Sequence, residues 1–97
     1  MANSYGEILT ARGGSYVLND TSAYTGTVYM ISVLEDTIFD TLEVTDPTGT
    51  VVTDVLSSQI ADPLTAVKAG AIITPLSIGS PFSKIELTSG SVVLVLK

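Results

Sequence analysis

The sequence predicts an all-β fold, a single antiparallel β-sandwich or jelly-roll-like domain spanning residues 1–97. Three observations carry that expectation. Turn-forming residues interrupt the chain at short intervals, at Gly13-Gly14, Gly26, Asp46-Pro47-Thr48-Gly49, Asp62-Pro63, Ala69-Gly70, Gly79-Ser80-Pro81 and Ser89-Gly90-Ser91. Between these breaks Val, Ile, Thr, Tyr and Phe, which suit a pleated surface, outweigh the Ala, Leu, Lys and Glu that fill helices. No segment sustains apolar residues at a 3.6-residue period.

Taken in order, the first expected strand is Tyr5–Ala11, within residues 1–14, which read as an extended N-terminal arm ending at Gly13-Gly14. Ser15–Leu18 is a short second strand, and Thr25–Leu34 a long, strongly apolar third one. Ile38–Val44 and Val51–Leu56 flank Asp46-Pro47-Thr48-Gly49, where Asp accepts hydrogen bonds locally and Pro presets φ at the second turn position. Those two strands are expected to pair antiparallel. Asp54–Gly70 reads as a connection, in which Ser57–Asp62 could form one turn of helix before Pro63 stops it. Ala71–Ile78 is the sixth strand. Phe82–Leu87 and Val92–Leu96 flank Thr88-Ser89-Gly90-Ser91 and read as a tight C-terminal hairpin, with Gly90 free to take positive φ.

Alternation along the strands says which faces need cover. In Phe82–Leu87, Ile85 and Leu87 share one face while Lys84 and Glu86 share the other, so one side is wet. In Val28–Leu34, by contrast, Val28, Met30 and Leu34 oppose Tyr29, Ile31 and Val33, and neither side is polar. Val92–Leu96 repeats this, with Val92, Leu94 and Leu96 opposed by Val93 and Val95. A chain of this length has one core and is not expected to cover both faces of two strands. Either a loop such as Asp54–Gly70 lies over the outer face, or the outward residues meet another subunit or a larger protein surface. Oligomerisation is the expectation followed here, with Tyr29, Ile31, Val33 or their opposite face, Val93 and Val95 as contact surface. Tyr5, Ile8 and Leu9 form an arm expected to reach a neighbour.

Composition narrows the chemistry. There is no cysteine and no histidine, which removes disulfides, thiolate sites, histidine acid/base catalysis and Ser-His-Asp triads. No enzyme activity, cofactor or metal site is expected. Four Lys and Arg against ten Asp and Glu leave a net charge of −6, a field that repels phosphate backbones. Arg12, Lys68, Lys84 and Lys97 are scattered, so no basic stripe forms and no nucleic-acid partner is expected. No run approaches the roughly 20 apolar residues that span a bilayer, and no basic segment leads an apolar one at the start. The chain therefore reads as soluble and made in the cytoplasm.

The remaining motifs have plain structural readings. Glu35, Asp36, Asp40 and Glu43 form the densest acidic region, but adjacent strand residues point to opposite faces and the spacing of a calcium loop is absent. They are expected to be solvated charges that discourage unwanted strand pairing. Asp46 and Asp62 precede prolines as turn caps, and Ser57, Ser58, Ser89 and Ser91 have no base at a catalytic spacing. Gly13-Gly14 lacks a phosphate-loop frame. Tyr5, Tyr16, Tyr24 and Tyr29 suit core and interface packing; a sugar-binding or adhesion module is the alternative use of such rings.

From Ser15 onward several segments in succession resemble small virion proteins of tailed phages. Ser15-Tyr16, followed by Tyr24-Thr25-Gly26-Thr27-Val28-Tyr29-Met30-Ile31-Ser32-Val33-Leu34 and then Asp36-Thr37-Ile38-Phe39, is similar to their aromatic-Gly strand, apolar strand and D-T-x-F corner. Val67-Lys68-Ala69-Gly70-Ala71-Ile72-Ile73 resembles their P-A-G-x-x-I turn, with Lys68 where proline is frequent. Phe82–Val93 resembles their closing F-x-x-I-x-L-x-S-G-x-V segment, although this chain ends on Leu96-Lys97 rather than an aromatic. The resemblance implies a non-enzymatic capsid decoration or cement protein on the virion surface, partnered by the major capsid protein and by copies of itself, a trimer included. A head-fibre, neck or tail component is the neighbouring alternative.

Overall fold

The structure is a computed structural model that describes residues 14–77 and 79–96. Strands β1 (Ser15–Leu18), β2 (Tyr24–Val33), β3 (Ile38–Thr45), β4 (Val52–Asp54), β5 (Ile72–Ile73), β6 (Phe82–Ser89) and β7 (Val92–Leu96) alternate with loops, and a single helical turn, α1 (Leu56–Gln59), follows β4. The class is all-β, and among the described residues every strand pairing is antiparallel. Strand order is β1-β7-β2-β6-β3-β4, with β5 on β2.

Strand β2 organises the molecule, because it takes different partners along its length. Its first half pairs with β6, Tyr24 opposite Ile85 and Val28 opposite Phe82. Its second half pairs with β7, from Val28 opposite Leu96 to Val33 opposite Val92, and with β5 at Ile31 and Ser32. Irregularities between Thr25 and Val28 and between Val28 and Met30 let one strand serve both halves. The sheet folds across β2, and its two inward faces share one core. Leu18, Val28, Ile31, Val33, Val92 and Leu94 come from one half, and Phe39, Leu42, Phe82, Ile85 and Leu87 from the other. Burying each such side chain contributes about 1.5–3 kcal/mol.

The bulge in β2 corrects the face assignment made from strict alternation. Val28 lies in the same core as Ile31 and Val33, because one extra residue between Val28 and Met30 shifts the side-chain phase. Ile31 and Val33 are therefore core residues, 0% and 2% exposed, and not contact surface. The expectation that one chain leaves both faces of β2 and β7 uncovered also changes. Met30 and Val95, on the outward side, are buried as well.

Three further expectations need revision. The C-terminal turn exists, with Gly90 at φ +99°, but β6 and β7 do not pair with each other. The chain crosses there from one half of the folded sheet to the other, and β2 lies between the two strands. Strand β4 is shorter than Val51–Leu56: Val55 N–H still bonds Leu42 O in register (2.9 Å), but the Asp54 carboxylate then takes Leu56 N–H (2.9 Å) and α1 begins. Of the expected strand Ala71–Ile78, only Ile72–Ile73 is strand among the described residues, and Ile78 lies outside them. Pro75 has no N–H to offer a ladder, and Thr74 O accepts the Gln59 side-chain amide instead (2.7 Å).

The Asp54–Gly70 connection enters the core. Val55 and Ile60 are buried members of it, with Leu56 and Val67 packed alongside. Val67 forms an isolated bridge with Thr37 through reciprocal bonds of 2.9 and 2.7 Å. The expected strand Tyr5–Ala11 lies outside the described residues.

Candidate interaction surface

Register determines which side chains share a face, since residues directly opposite in an antiparallel pair point the same way. Val93 is opposite Val17 on β1 and Ser32 on β2, and Ser32 is opposite Ile72 on β5. Val17, Val93, Ser32 and Ile72 thus form one row across four strands on the face turned away from the core. Val95 and Met30 form the adjoining row. Val17 is 51% exposed and Ile72 54%, Val93 is half-buried, and Leu34, just past the end of β2, is 49% exposed. The outward face of this half is aliphatic.

The other half faces water differently. Thr25, Lys84, Glu43 and Asp54 are opposite one another in turn across β2, β6, β3 and β4, and Glu86 is opposite Thr41 in the next row. Three carboxylates and one ammonium lie on that outward face, where Ile85 and Leu42 behind them fill the core. The two sides of the folded sheet therefore differ in chemistry: aliphatic on β1-β7-β2-β5, and acidic and polar on β6-β3-β4 except for Val52, which is 59% exposed on the same face as Asp54.

The expected contact residues fall into separate groups. Val93 and Val95 belong to the aliphatic outward face, Val93 half-buried and Val95 buried. Tyr29 is half-buried at the β2 bulge. Ile31 and Val33 are in the core, and Tyr5, Ile8 and Leu9 lie outside the described residues. Val17 and Ile72 were missed by sequence reasoning. A signal for Val17 existed: in Ser15–Leu18 the apolar residues occupy both faces, as they do in β7.

The acidic residues have local duties. Asp46 accepts Thr48 Oγ1 (2.6 Å), Val51 N–H (2.9 Å) and Thr50 N–H (2.8 Å), which hold its carboxyl below the ordinary value and lock the β3–β4 turn. Asp36 accepts Ala69 N–H (3.1 Å) and pairs with Lys68 (3.5 Å), and both lower its pKa. Among the described residues no three such side chains gather as a cation site. Tyr16 and Tyr24 meet with ring centroids 4.7 Å apart at 36°, so each ring's neighbour is the other.

No protein-family model matches this chain, and no curated protein or solved structure matches it significantly.

Proposed function

We propose that this chain is a non-enzymatic structural virion protein, a capsid decoration or cement protein that binds the major capsid protein lattice and stabilises the phage head. One observation carries the reading: the aliphatic row Val17, Val93 and Ile72, with Leu34, is segregated from the acidic row Glu43, Asp54 and Glu86 on the opposite outward face. A two-sided surface suits a subunit that presents one face to a protein lattice and the other to solvent. The segments similar to small phage virion proteins support the choice of lattice. Stabilisation needs no covalent chemistry, because a protein that binds only the expanded shell favours that state by its differential affinity.

The test is co-sedimentation with expanded, DNA-free shells of tailed-phage major capsid protein. Saturable binding is expected, in hundreds of copies per shell, with a rise in shell melting temperature. The Val17→Asp, Ile72→Asp double variant is expected to bind at least about tenfold more weakly, a loss of about 1.4 kcal/mol or more. Low-copy incorporation would point to a neck, head-fibre or tail component instead. Absence from shells and virions alike would overturn the proposal.

A further inference from the structure

Strands β6 and β7 are consecutive in sequence but share no ladder among the described residues, and β7 lies in a slot between β1 and β2. The corner joining β6 to β7 is short. Ser89 is still opposite Ile38 on β3, and Val92 is already opposite Val33 on β2 and Leu18 on β1. Only Gly90 and Ser91 remain to carry the chain from one half of the folded sheet to the other, so the corner has no slack.

Both residues are fixed against the corner between β2 and β3. Ser91 O accepts Leu34 N–H (3.0 Å), and Ser91 Oγ donates to Glu35 Oε2 (2.9 Å). Gly90 takes φ +99° and passes so close to Thr37 that a Cβ added to it would lie 2.6 Å from Thr37 Cα and 2.7 Å from Thr37 Cβ. Thr37 has no room to retreat, because it is fully buried and exchanges backbone bonds of 2.9 and 2.7 Å with Val67. A side chain at position 90 therefore has to displace the corner itself. With no spare residue, that displacement pulls Val92 out of register with both neighbours, and the loss falls on the fully buried Val92, Leu94 and Val95.

We propose that Gly90 is the residue that holds β7 in its own chain, and that a side chain at this position turns the corner into an open hinge through which two copies exchange β7. In the exchanged dimer, β7 of each copy fills the slot between β1 and β2 of the other. Register names the occupant, since that slot already matches Leu18 to Val92, Tyr16 to Leu94 and Ile31 to Leu94. Exchange keeps every ladder bond and every buried side chain of β7. Only residues 90 and 91 change, and residue 90 leaves positive φ for extended backbone, which an L-residue adopts without strain. Short hinge segments under strain favour this route to a dimer. In the wild-type chain the glycine corner is unstrained, and it holds β7 beside its own slot at an effective concentration far above that of a second copy. Where β7 pairs does not depend on capsid binding.

The chain has no cysteine, so one engineered pair reports the pairing. Leu96 N–H donates to Gly14 O (2.9 Å), which makes Tyr16–Leu94 and Leu18–Val92 hydrogen-bonded pairs and Val17–Val93 the non-hydrogen-bonded pair between them. Such a pair has its Cα atoms about 4.5 Å apart, within the span of a disulfide. The full chain carrying Val17→Cys and Val93→Cys is unfolded in urea, refolded at sub-millimolar concentration and oxidised. It is expected to link within itself and to run at the 10.1 kDa chain mass on a denaturing, non-reducing gel. Adding Gly90→Ala is expected to move most of the chain to twice that mass, reversibly on reduction, and to make the thermal midpoint rise with protein concentration. Two glycines inserted after position 90 of the Gly90→Ala chain restore slack and are expected to return the band to the single-chain mass. Gly90→Ala chains that link within themselves overturn the proposal. So do Gly90→Ala chains that fail to recover the wild-type circular dichroism at any concentration, since exchange then rescues nothing. Linkage between chains that already occurs with Gly90 in place, or that persists after the glycine insertion, overturns it as well.

Discussion

Gly90 joins β6 to β7 with φ +99°, and a methyl group added there would meet Thr37, whose Cα would lie 2.6 Å away. Thr37 has little room to yield: it is fully buried, and its hydroxyl donates to Glu35 O (2.7 Å). Gly49 also has positive φ, +79°, but nothing lies within 4 Å of an added Cβ. Gly49→Ala is therefore expected to cost only the left-handed strain of about 1–2 kcal/mol. Gly90→Ala adds overpacking of about 1–3 kcal/mol to that strain. Urea unfolding midpoints of the two variants measure the difference, and equal losses would remove the role assigned to the Thr37 contact. Asp46 supplies a second test. Its folded pKa is depressed, chiefly by Thr48 Oγ1 and then by Val51 N–H, so its stabilisation is complete above the ordinary value of 3.8 and disappears as pH falls through the lower folded value. Asp46→Asn is expected to be less stable than the wild type at pH 7, with the gap closing in acid. A gap constant down to pH values well below 3.8 would contradict this assignment.

Strands could be recognised where the residues themselves hold the information. Ser15–Leu18 and Val92–Leu96 coincide with β1 and β7, and the turn at Asp46 joins β3 to β4 as its residues demand. Over-long expectations arose at Val51–Leu56 and Ala71–Ile78, where apolar residues suit a strand but the chain leaves the ladder. Propensity reports how a side chain fits a pleated surface; it does not report whether a neighbouring edge exists. Pairing also creates a cost that no single strand reveals. Glu43 is directly opposite Asp54 on β4, a like-charge pair, although Lys84 on its other side offsets part of the repulsion. Asp54→Asn keeps an acceptor for Leu56 N–H while removing the charge. The variant is expected to gain about 0.2–1 kcal/mol, read from chemical denaturation at pH 7. A loss would mean that the charge itself is needed to hold the start of α1.

At the scale of the whole molecule, the acidic row of β6-β3-β4 and the aliphatic row of β1-β7-β2-β5 lie on opposite outward faces. The acidic row and the net charge of −6 together predict a salt response. Raising salt from ~0.01 to ~0.1 M shortens the Debye length from ~30 to ~10 Å, so the thermal midpoint is expected to rise by a few degrees. The rise is expected to be smaller in Asp54→Asn. A midpoint that falls with salt would show that attractive pairs such as Asp36–Lys68 outweigh the repulsion, contrary to the small value expected of an exposed pair. The candidate surface was partly legible in advance: the two apolar faces of Val92–Leu96 pointed to Val93, which is half-buried on the outward side, whereas Val95 on that side is fully buried and is not contact surface. Choosing Ile31 and Val33 failed because the bulge near Tyr29 reverses the alternation that the choice relied on.

The all-β class, the turn positions and most strand centres follow from local chemistry, because β-branched residues, prolines and glycines act on their own backbone dihedrals. The partners of each strand, the separation of β6 from β7 and the joint burial of Val28 with Ile31 were decided only by the folded chain. A one-residue bulge inverts every side chain beyond it, and two segments distant in sequence carry no mark of the register in which they meet. For the same reason the aliphatic and acidic faces became visible only once four strands had been aligned on each.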